Sequence, residues 1–241
     1  MIKIETHSHT FGGSKCAKAD DETFIKAFLD AGYKGVVITN HFHPKYFETY
    51  QGDTDKEKID YYFSLFDSMK EKLNKVGIKA FLGAEITCCT SDEYMLYGFD
   101  RSLFYDNKLL FTLTQKELFE LAEKNNCFMY QTHPFRDRVK VLGDPKYMHG
   151  AESFNGHFHH VNLNEKANKF CEDNNLIKMS GTDYHDPGQP IYGGIYIPEN
   201  IDTETQLVEF LFKNDFKLIE NEEEYINDLT KYKLEKEQLC K

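Results

Sequence analysis

The sequence predicts an α/β fold organised as one domain, and three observations lead there. Short apolar runs alternate with longer amphipathic ones along nearly the whole chain. Polar residues able to bind metals recur where the apolar runs end, and no Pro/Gly/Ser-rich linker, repeat or low-complexity stretch breaks the order. At 241 residues the length suits one large domain as well as two small ones, and 40% hydrophobic residues are enough for a core.

The elements follow in order. "IKIE" reads as a strand, and "DDETFIKAFLDAGYKG" as a helix with Asp20 or Asp21 as N-cap, Phe24, Phe28 and Leu29 on one face, and Gly32 or Gly35 as its stop. "GVVITN" is a buried strand. The long run "DKEKIDYYFSLFDSMKEKLNKVG" places Ile59, Tyr62, Phe63, Phe66, Met69 and Leu73 at helical spacing and ends at Gly77. "IKAFLGAE" is the next strand, and "EYMLYGFD" a further strand or a hairpin partner. Thr114 caps the helix "TQKELFELAEKNN", and the strand "CFMYQT" follows. "GAESFN" (strand), "LNEKANKFCEDNN" (helix, with Ala167, Phe170 and Cys171 apolar), "LIKMSGT" and "GGIYIP" (strands) and "TETQLVEFLFKND" (helix) complete the pattern. This alternation implies a parallel sheet, covered on both faces or closed into a barrel. We assign residues 1–219 to this one α/β domain and 220–241 to a charged, exposed C-terminal helix or tail without visible chemistry.

The formal net charge of −11 argues against nucleic acid as a partner, although metal ions can invert the sign of a site locally. The six cysteines (Cys16, Cys88, Cys89, Cys127, Cys171 and Cys240) show no C-x-x-C spacing. No signal peptide or membrane span is visible, so the expected setting is reducing and cytoplasmic, with no membrane partner. Adjacent Cys88 and Cys89 read as buried thiols beside a strand before they read as ligands.

The function-bearing residues sit at the strand ends. In "IETHSHTFGG", His7 and His9 are two apart, so a strand points both to one face. The later strands end in Asn40 and His41, in Glu85, in His133, in Asn155, and in Asp183 and His185. In parallel α/β folds these ends share one rim, where sites assemble. Five of the ten histidines and two carboxylates would therefore converge. Such a mixed set suits zinc, manganese or iron(II), and a carboxylate such as Glu85 can bridge two ions.

In order, "HSHT", "ITNHFHP", "GAEIT", "THPFR", "GAESFNG" and "SGTDYH" resemble the successive motifs of the PHP (polymerase and histidinol phosphatase) family, from Ile2 to about Leu218. The resemblance implies a distorted (β/α)7 TIM-like barrel carrying two or three divalent ions (Zn, Mn or Fe) on its C-terminal rim. By motif, His7 and His9 would bind the first ion, Glu85 would bridge it to a second held by His133, and Asp183 would complete the first site. His41 and His185 would serve a third position or the substrate phosphate. Three positions depart from the family pattern. Glu5 and Asn40 stand where many members carry an acidic residue and an Asp, and Lys15 stands where a further ligand is common. A lysine there would replace the third cation with its own ammonium and bring Lys15 to the substrate.

Two bridged ions generate hydroxide near neutral pH and clamp the attacking and leaving oxygens of an in-line displacement. Phosphoester hydrolysis gains most from that arrangement. The expected function is therefore a metal-dependent phosphoric ester hydrolase acting on a small phosphomonoester or phosphodiester through a metal-activated hydroxide. Glu85 and Asp183 are its catalytic ligands, and Arg136, three residues after His133, is the catalytic phosphate clamp. Arg136 could instead pair at the surface with Asp137 or Asp144, and "GHFHH" (His157, His159, His160) could lend a ligand, shape the pocket or be a solvated loop. The alternatives are an amidohydrolase-type enzyme acting on C–N bonds and a non-catalytic metal- or phosphate-binding module. The absence of an obvious bridging lysine counts against the first, and the nearly full ligand set against the second.

Overall fold

The computed structural model describes residues 1–106, 108–137 and 141–239. Its strands are β1 (Ile2–Ser8), β2 (Gly35–Ile38), β3 (His41–Phe42), β4 (Lys79–Thr87), β5 (Glu93–Tyr97), β6 (Phe128–Gln131), β7 (Gly150–Asn155), β8 (Ile177–Gly181), β9 (Gly193–Ile197) and β10 (Leu218–Glu220). The helices are α1 (Asp21–Asp30), α2 (Pro44–Phe47), α3 (Asp55–Lys75), α4 (Ser102–Tyr105), α5 (Gln115–Lys124), α6 (Asn164–Asp173), α7 (Glu204–Phe212) and α8 (Glu222–Leu239). The strands form one sheet in the order β10-β9-β1-β2-β4-β5-β6-β7-β8, with β3 also paired to β4. The segment after β8 returns to β1, where Tyr184 N–H donates to His7 O and His9 N–H donates to Tyr184 O at 3.1 Å. The result is a nearly closed, TIM-like barrel with helices outside.

Local chemistry explains the long elements. Thr54 and Glu57 form a reciprocal capping box on α3, and its stripe Ile59, Tyr62, Phe63, Phe66, Met69 and Leu73 is buried. Asp20, not Asp21, caps α1 by accepting from Thr23 N–H, and Thr114 and Thr203 cap α5 and α7 in the same way as Thr54. Val36, Ile38, Ala80, Leu82 and Ala84 face α1, α3 and α5 in one core cluster. Ile4, Val37, Phe81, Met95, Tyr97, Phe128, Tyr130, Met179 and Ile195 meet across the barrel interior in another, with Leu207, Val208 and Leu211 of α7 packed against them.

The sheet is mixed, which corrects the expectation of a parallel one. β1/β2, β2/β4, β6/β7 and β7/β8 are parallel, whereas β4/β5, β5/β6, β1/β9 and β9/β10 are antiparallel. The link from Thr87 to Glu93 is far too short for a crossover, so β5 folds back on β4 as a hairpin.

An irregularity in β1 decides where the site can form. Glu5 pairs with Val36 and Ser8 with Ile38, so β1 carries one extra residue over this interval. Val36 and Ile38 both face the helices, and Ile4 lies in the interior. Strict alternation from Ile4 would turn His7 and His9 toward the helices; the bulge reverses the phase and turns them inward. Glu5 stabilises it. Its Oε1 accepts from the backbone N–H groups of Thr6 (3.0 Å), His7 (2.7 Å) and Thr182 (2.8 Å), tying the bulge to the end of β8. Burial pushes its pKa up to about 7, with the Thr182 and His7 hydrogen bonds opposing the rise.

Glu5→Ala is therefore expected to lower stability by at least about 3 kcal/mol, because three buried N–H donors lose their acceptor. Urea unfolding of Glu5→Ala against wild type measures this, and an unchanged midpoint would contradict the brace.

Candidate metal centre

The inward face of β1 meets the last residues of β4 and the loops after β2, β6 and β8. His7, His9, Glu85 and Asp183 are fully buried, and His133 nearly so. His133 and Asp183 both hold left-handed backbone, with φ of 29° and 52°, a costly conformation for non-glycine residues that occurs preferentially at functional sites.

The donor atoms converge. His7 Nε2 and His9 Nε2 are 3.1 Å apart, and they lie 3.2 and 3.3 Å from Asp183 Oδ1. Glu85 Oε2 is 3.6 Å from the first nitrogen and 3.3 Å from the second. Ligands 2.0–2.1 Å from a tetrahedral ion stand about 3.3–3.4 Å apart, so these spacings are those of a coordination shell. The hydrogen-bond census agrees: Asp183 Oδ1 and both Glu85 oxygens are buried without a hydrogen-bond partner among the described residues. Buried polar atoms left this way are costly unless a ligand completes them.

Glu85 Oε1 points to His133 Nε2 at 3.2 Å, and Glu93 Oε2 is 3.9 Å from the same nitrogen. His41 Nδ1 lies 2.9 Å from Glu85 Oε2. Burial works against ionisation of Glu85, yet the charges of His41 and then His7 outweigh it and hold the carboxyl well below its usual range. Asp183 is likewise held low against burial by His7, Arg136 and His185. Burial, with His185 and His41 nearby, keeps His9 neutral, the form that coordinates a metal.

Glu152 aligns this cluster. Its Oε1 bonds His7 Nδ1 at 2.9 Å, fixing the ring so that Nε2 faces inward, while Oε2 accepts from His133 N–H (2.8 Å) and Asn155 Nδ2 (2.9 Å). His9 Nδ1 is held by Ser14 Oγ at 3.0 Å. Asn40 Oδ1 accepts from Thr10 N–H at 2.8 Å, so Asn40 shapes the loop after the histidine pair.

A cavity of about 390 Å³ opens beside the cluster, lined in part by His41, His133, Asp183, His185, Arg136 and Cys16. Arg136 is largely but not fully buried, and neither Asp137 nor Asp144 is its partner. Its Nη2 donates to Asp183 Oδ2 (2.5 Å) and Asn155 Oδ1 (2.9 Å), and its Nε to Asn162 Oδ1 (2.8 Å). Two of its three nitrogens are thus committed to the protein, which corrects the reading of a free bidentate clamp. Lys15 is exposed and absent from the cavity wall, whereas its neighbour Cys16 lines it, with the thiol 3.0 Å from His185 Nε2. The turn presents the next side chain inward, so the substrate and third-cation roles expected of Lys15 have no geometric basis. Cys88 is buried among the apolar core, Cys89 is exposed, and Cys240 lies outside the described residues.

Sequence reasoning missed Glu152, Glu93, Cys16 and Tyr232. A charged residue inside the apolar strand "GAESFN" was the available signal for Glu152. His157 is buried in the cavity wall, and His159 and His160 also line it, so "GHFHH" shapes the pocket. Tyr232 of α8 reaches the same wall, its ring 4.4 Å from that of His159, so the terminal helix contributes to the cavity.

No family model matches the sequence, and no curated protein matches it either. Solved structures do. A two-domain protein from Bacteroides vulgatus, described as containing a predicted PHP-like metal-dependent phosphoesterase, aligns at TM-score 0.64 and 18% identity, covering 96% of this chain and 69% of that one. PsfC from Pseudomonas syringae aligns at TM-score 0.69 and 13% identity over 99% and 98%. The lesion-specific endonuclease Q of Pyrococcus furiosus aligns at TM-score 0.56 and 12% identity over 90% and 57%, so this chain spans just over half of it. The chain has the fold of the PHP-like metal-dependent phosphoesterases. Endonuclease Q has also been seen with a 27-mer duplex substrate carrying an abasic lesion at its active site. That finding corrects the expectation that nucleic acid is excluded as a partner, since this fold also serves an enzyme that acts on DNA and a net charge of −11 does not decide the matter. No described helix is long and apolar enough to cross a membrane.

Glu152→Gln is expected to leave the fold intact and weaken metal affinity about 10- to 100-fold by loosening His7. Competition against a chelating dye measures it, and wild-type affinity in the variant would contradict the orienting role.

Proposed function

We propose that this protein is a metal-dependent phosphoric ester hydrolase acting on a small phosphomonoester or phosphodiester. The observation that carries the proposal is the buried Glu85 carboxylate, whose two oxygens face different imidazole sets without a hydrogen bond to either. His7, His9 and Asp183 with Glu85 Oε2 would hold one divalent ion, and His133 with Glu85 Oε1 a second, flanked by Glu93. Such a bridged pair, when bound, supplies an activated water and neutralises charge on the phosphoryl oxygens.

The chain's own groups do the rest. Arg136 holds Asp183 Oδ2, so that Oδ1 stays aimed at the imidazoles, and is first a positioning residue. Its Nη1 has no hydrogen bond among the described residues, which leaves one charged donor at the cavity wall for a phosphoryl oxygen. A cavity of about 390 Å³ suits a compact substrate. The C–N hydrolase reading is not favoured: the centre of the cluster is a carboxylate, and Lys18, the one described lysine on the cavity wall, is exposed and paired with Asp186.

The test is turnover of p-nitrophenyl phosphate, bis-p-nitrophenyl phosphate and an oligonucleotide with an abasic site, beside a lactam panel, by metal-loaded and chelator-treated protein. Phosphoester cleavage that depends on metal and is inhibited by inorganic phosphate is expected. Lactam cleavage, or bound metal without turnover on any ester, would contradict the proposal.

Glu85→Ala is expected to lower kcat by at least about a thousandfold. Arg136→Ala should raise KM through the lost Nη1 donor and also weaken metal affinity through Asp183. Full ester turnover by Glu85→Ala would place the chemistry elsewhere.

A further inference from the structure

The helix α8 holds the loop that carries a partner of Arg136. Asn162, in that loop, is buried, and its Nδ2 group donates to Asn155 O at 3.0 Å and His157 O at 3.2 Å. Two carbonyl oxygens thus hold the amide, and its Oδ1 faces Arg136 Nε at 2.8 Å. The Asn162 backbone N–H in turn donates to Tyr225 Oη of α8 at 3.2 Å, and that hydroxyl donates to His160 O at 3.0 Å. One phenol therefore ties two points of the loop. Its ring is buried beside Phe154 and Tyr192, which fixes where the hydroxyl sits. Leu163, the next residue, holds left-handed backbone with φ of 49°. On its other side Asn164 Nδ2 donates to Glu222 Oε2 of α8 at 3.3 Å. A bulky residue keeps that conformation only where its surroundings over-determine it, and α8 bonds both of its neighbours.

We infer that α8 is part of the site and that Tyr225 is a positioning residue, acting through Asn162 to set the Arg136 guanidinium and, through it, Asp183. The contacts run without a gap from Tyr225 Oη to Asn162, from Asn162 Oδ1 to Arg136 Nε, and from Arg136 Nη2 to Asp183 Oδ2 at 2.5 Å. A guanidinium is planar, so anchoring Nε and Nη2 also fixes the direction of Nη1 at the cavity wall. Without the phenol hydroxyl the buried Asn162 N–H loses its acceptor and the loop loses its tie to α8, and moving the loop to find new partners moves Asn162 Oδ1 with it. The inference rests on the proposed function in taking Asp183 as a metal ligand and Nη1 as a substrate donor; the coupling from Tyr225 to Arg136 does not depend on it.

Tyr225→Phe in the full chain tests it, because the substitution keeps the ring and removes only the hydroxyl. In the metal-free protein, solvent exchange of the Arg136 Nε–H, followed by nitrogen-15 NMR, is expected to be about tenfold faster than in wild type. Zinc affinity, read by competition against a chelating dye, should fall about tenfold, and KM for p-nitrophenyl phosphate should rise by more than kcat falls. In the Arg136→Ala background, Tyr225→Phe should change neither affinity nor KM further, as residues acting in series do. Tyr192→Phe is the control: its hydroxyl bonds Asp228 of α8 and not the loop, so its loss should lower the unfolding midpoint and leave zinc affinity as in wild type. Wild-type Nε–H exchange in Tyr225→Phe, or effects of Tyr225→Phe and Arg136→Ala that simply add, would overturn the inference while leaving the two-ion reading standing. Faster exchange in a protein that takes up no metal would support the coupling and contradict the proposed function.

Discussion

Everything at the barrel mouth depends on one burial. The Glu85 carboxylate, fully excluded from solvent, stands among His7, His9, His41 and His133 at 2.9 to 3.6 Å, with no hydrogen bond to any of them. Removing a carboxylate from water costs several kcal/mol, and Asp183 and Glu152 are buried in the same layer. Arg136 compensates Asp183 alone. The remaining negative charge is balanced either by protonated imidazoles or by cations that use those imidazoles as ligands. The second option satisfies Glu85 and the histidines together, because nitrogens and oxygens at coordination-shell spacing converge on a point.

Holding such a layer together requires backbone that does not relax. β4 supplies it for Glu85, since it is paired along its length with β2 and β3 on one side and β5 on the other. For the histidine pair the device is the β1 bulge with Glu5 seated in it, and for His133 and Asp183 it is left-handed backbone fixed by neighbours. Glu152 accepts His133 N–H, and Gln189 Nε2 donates to Asp183 O at 3.1 Å. Strain of this kind persists only where the surroundings over-determine it. Much of the pocket wall, by contrast, comes from loops and from α8, with His41 of β3, Tyr46 of α2 and Glu93 of β5 completing it.

The layout of the fold was legible because its signals are local and periodic. The α3 stripe, the Thr54 and Thr114 caps and the strand-end histidines all depend on spacing that sequence preserves. The convergence of His7, His9, Glu85, His133 and Asp183 was legible too, since parallel strands bring their ends to one rim. What escaped depends on events that spacing does not encode. The inward turn of His7 and His9 needs a bulge, and the exchange of Lys15 for Cys16 hangs on one residue of turn geometry, whereas the hairpin at β5 was among the readings the sequence offered. Glu152 was passed over because an acidic residue inside an apolar strand draws less notice than one at its tip. Tyr232 was missed because the charge of the terminal helix suggested a solvated tail, whereas Tyr225 anchors it by accepting from Asn162 N–H and donating to His160 O.

The central claim is that Glu85 is shared between two ions. Anomalous-scattering crystallography of the zinc- or manganese-loaded protein tests it most directly. The account predicts two adjacent anomalous peaks, one contacted by His7, His9 and Asp183, the other by His133, with a Glu85 oxygen on each. A Glu85 carboxylate that touches no peak, or peaks confined to the protein surface, would contradict it.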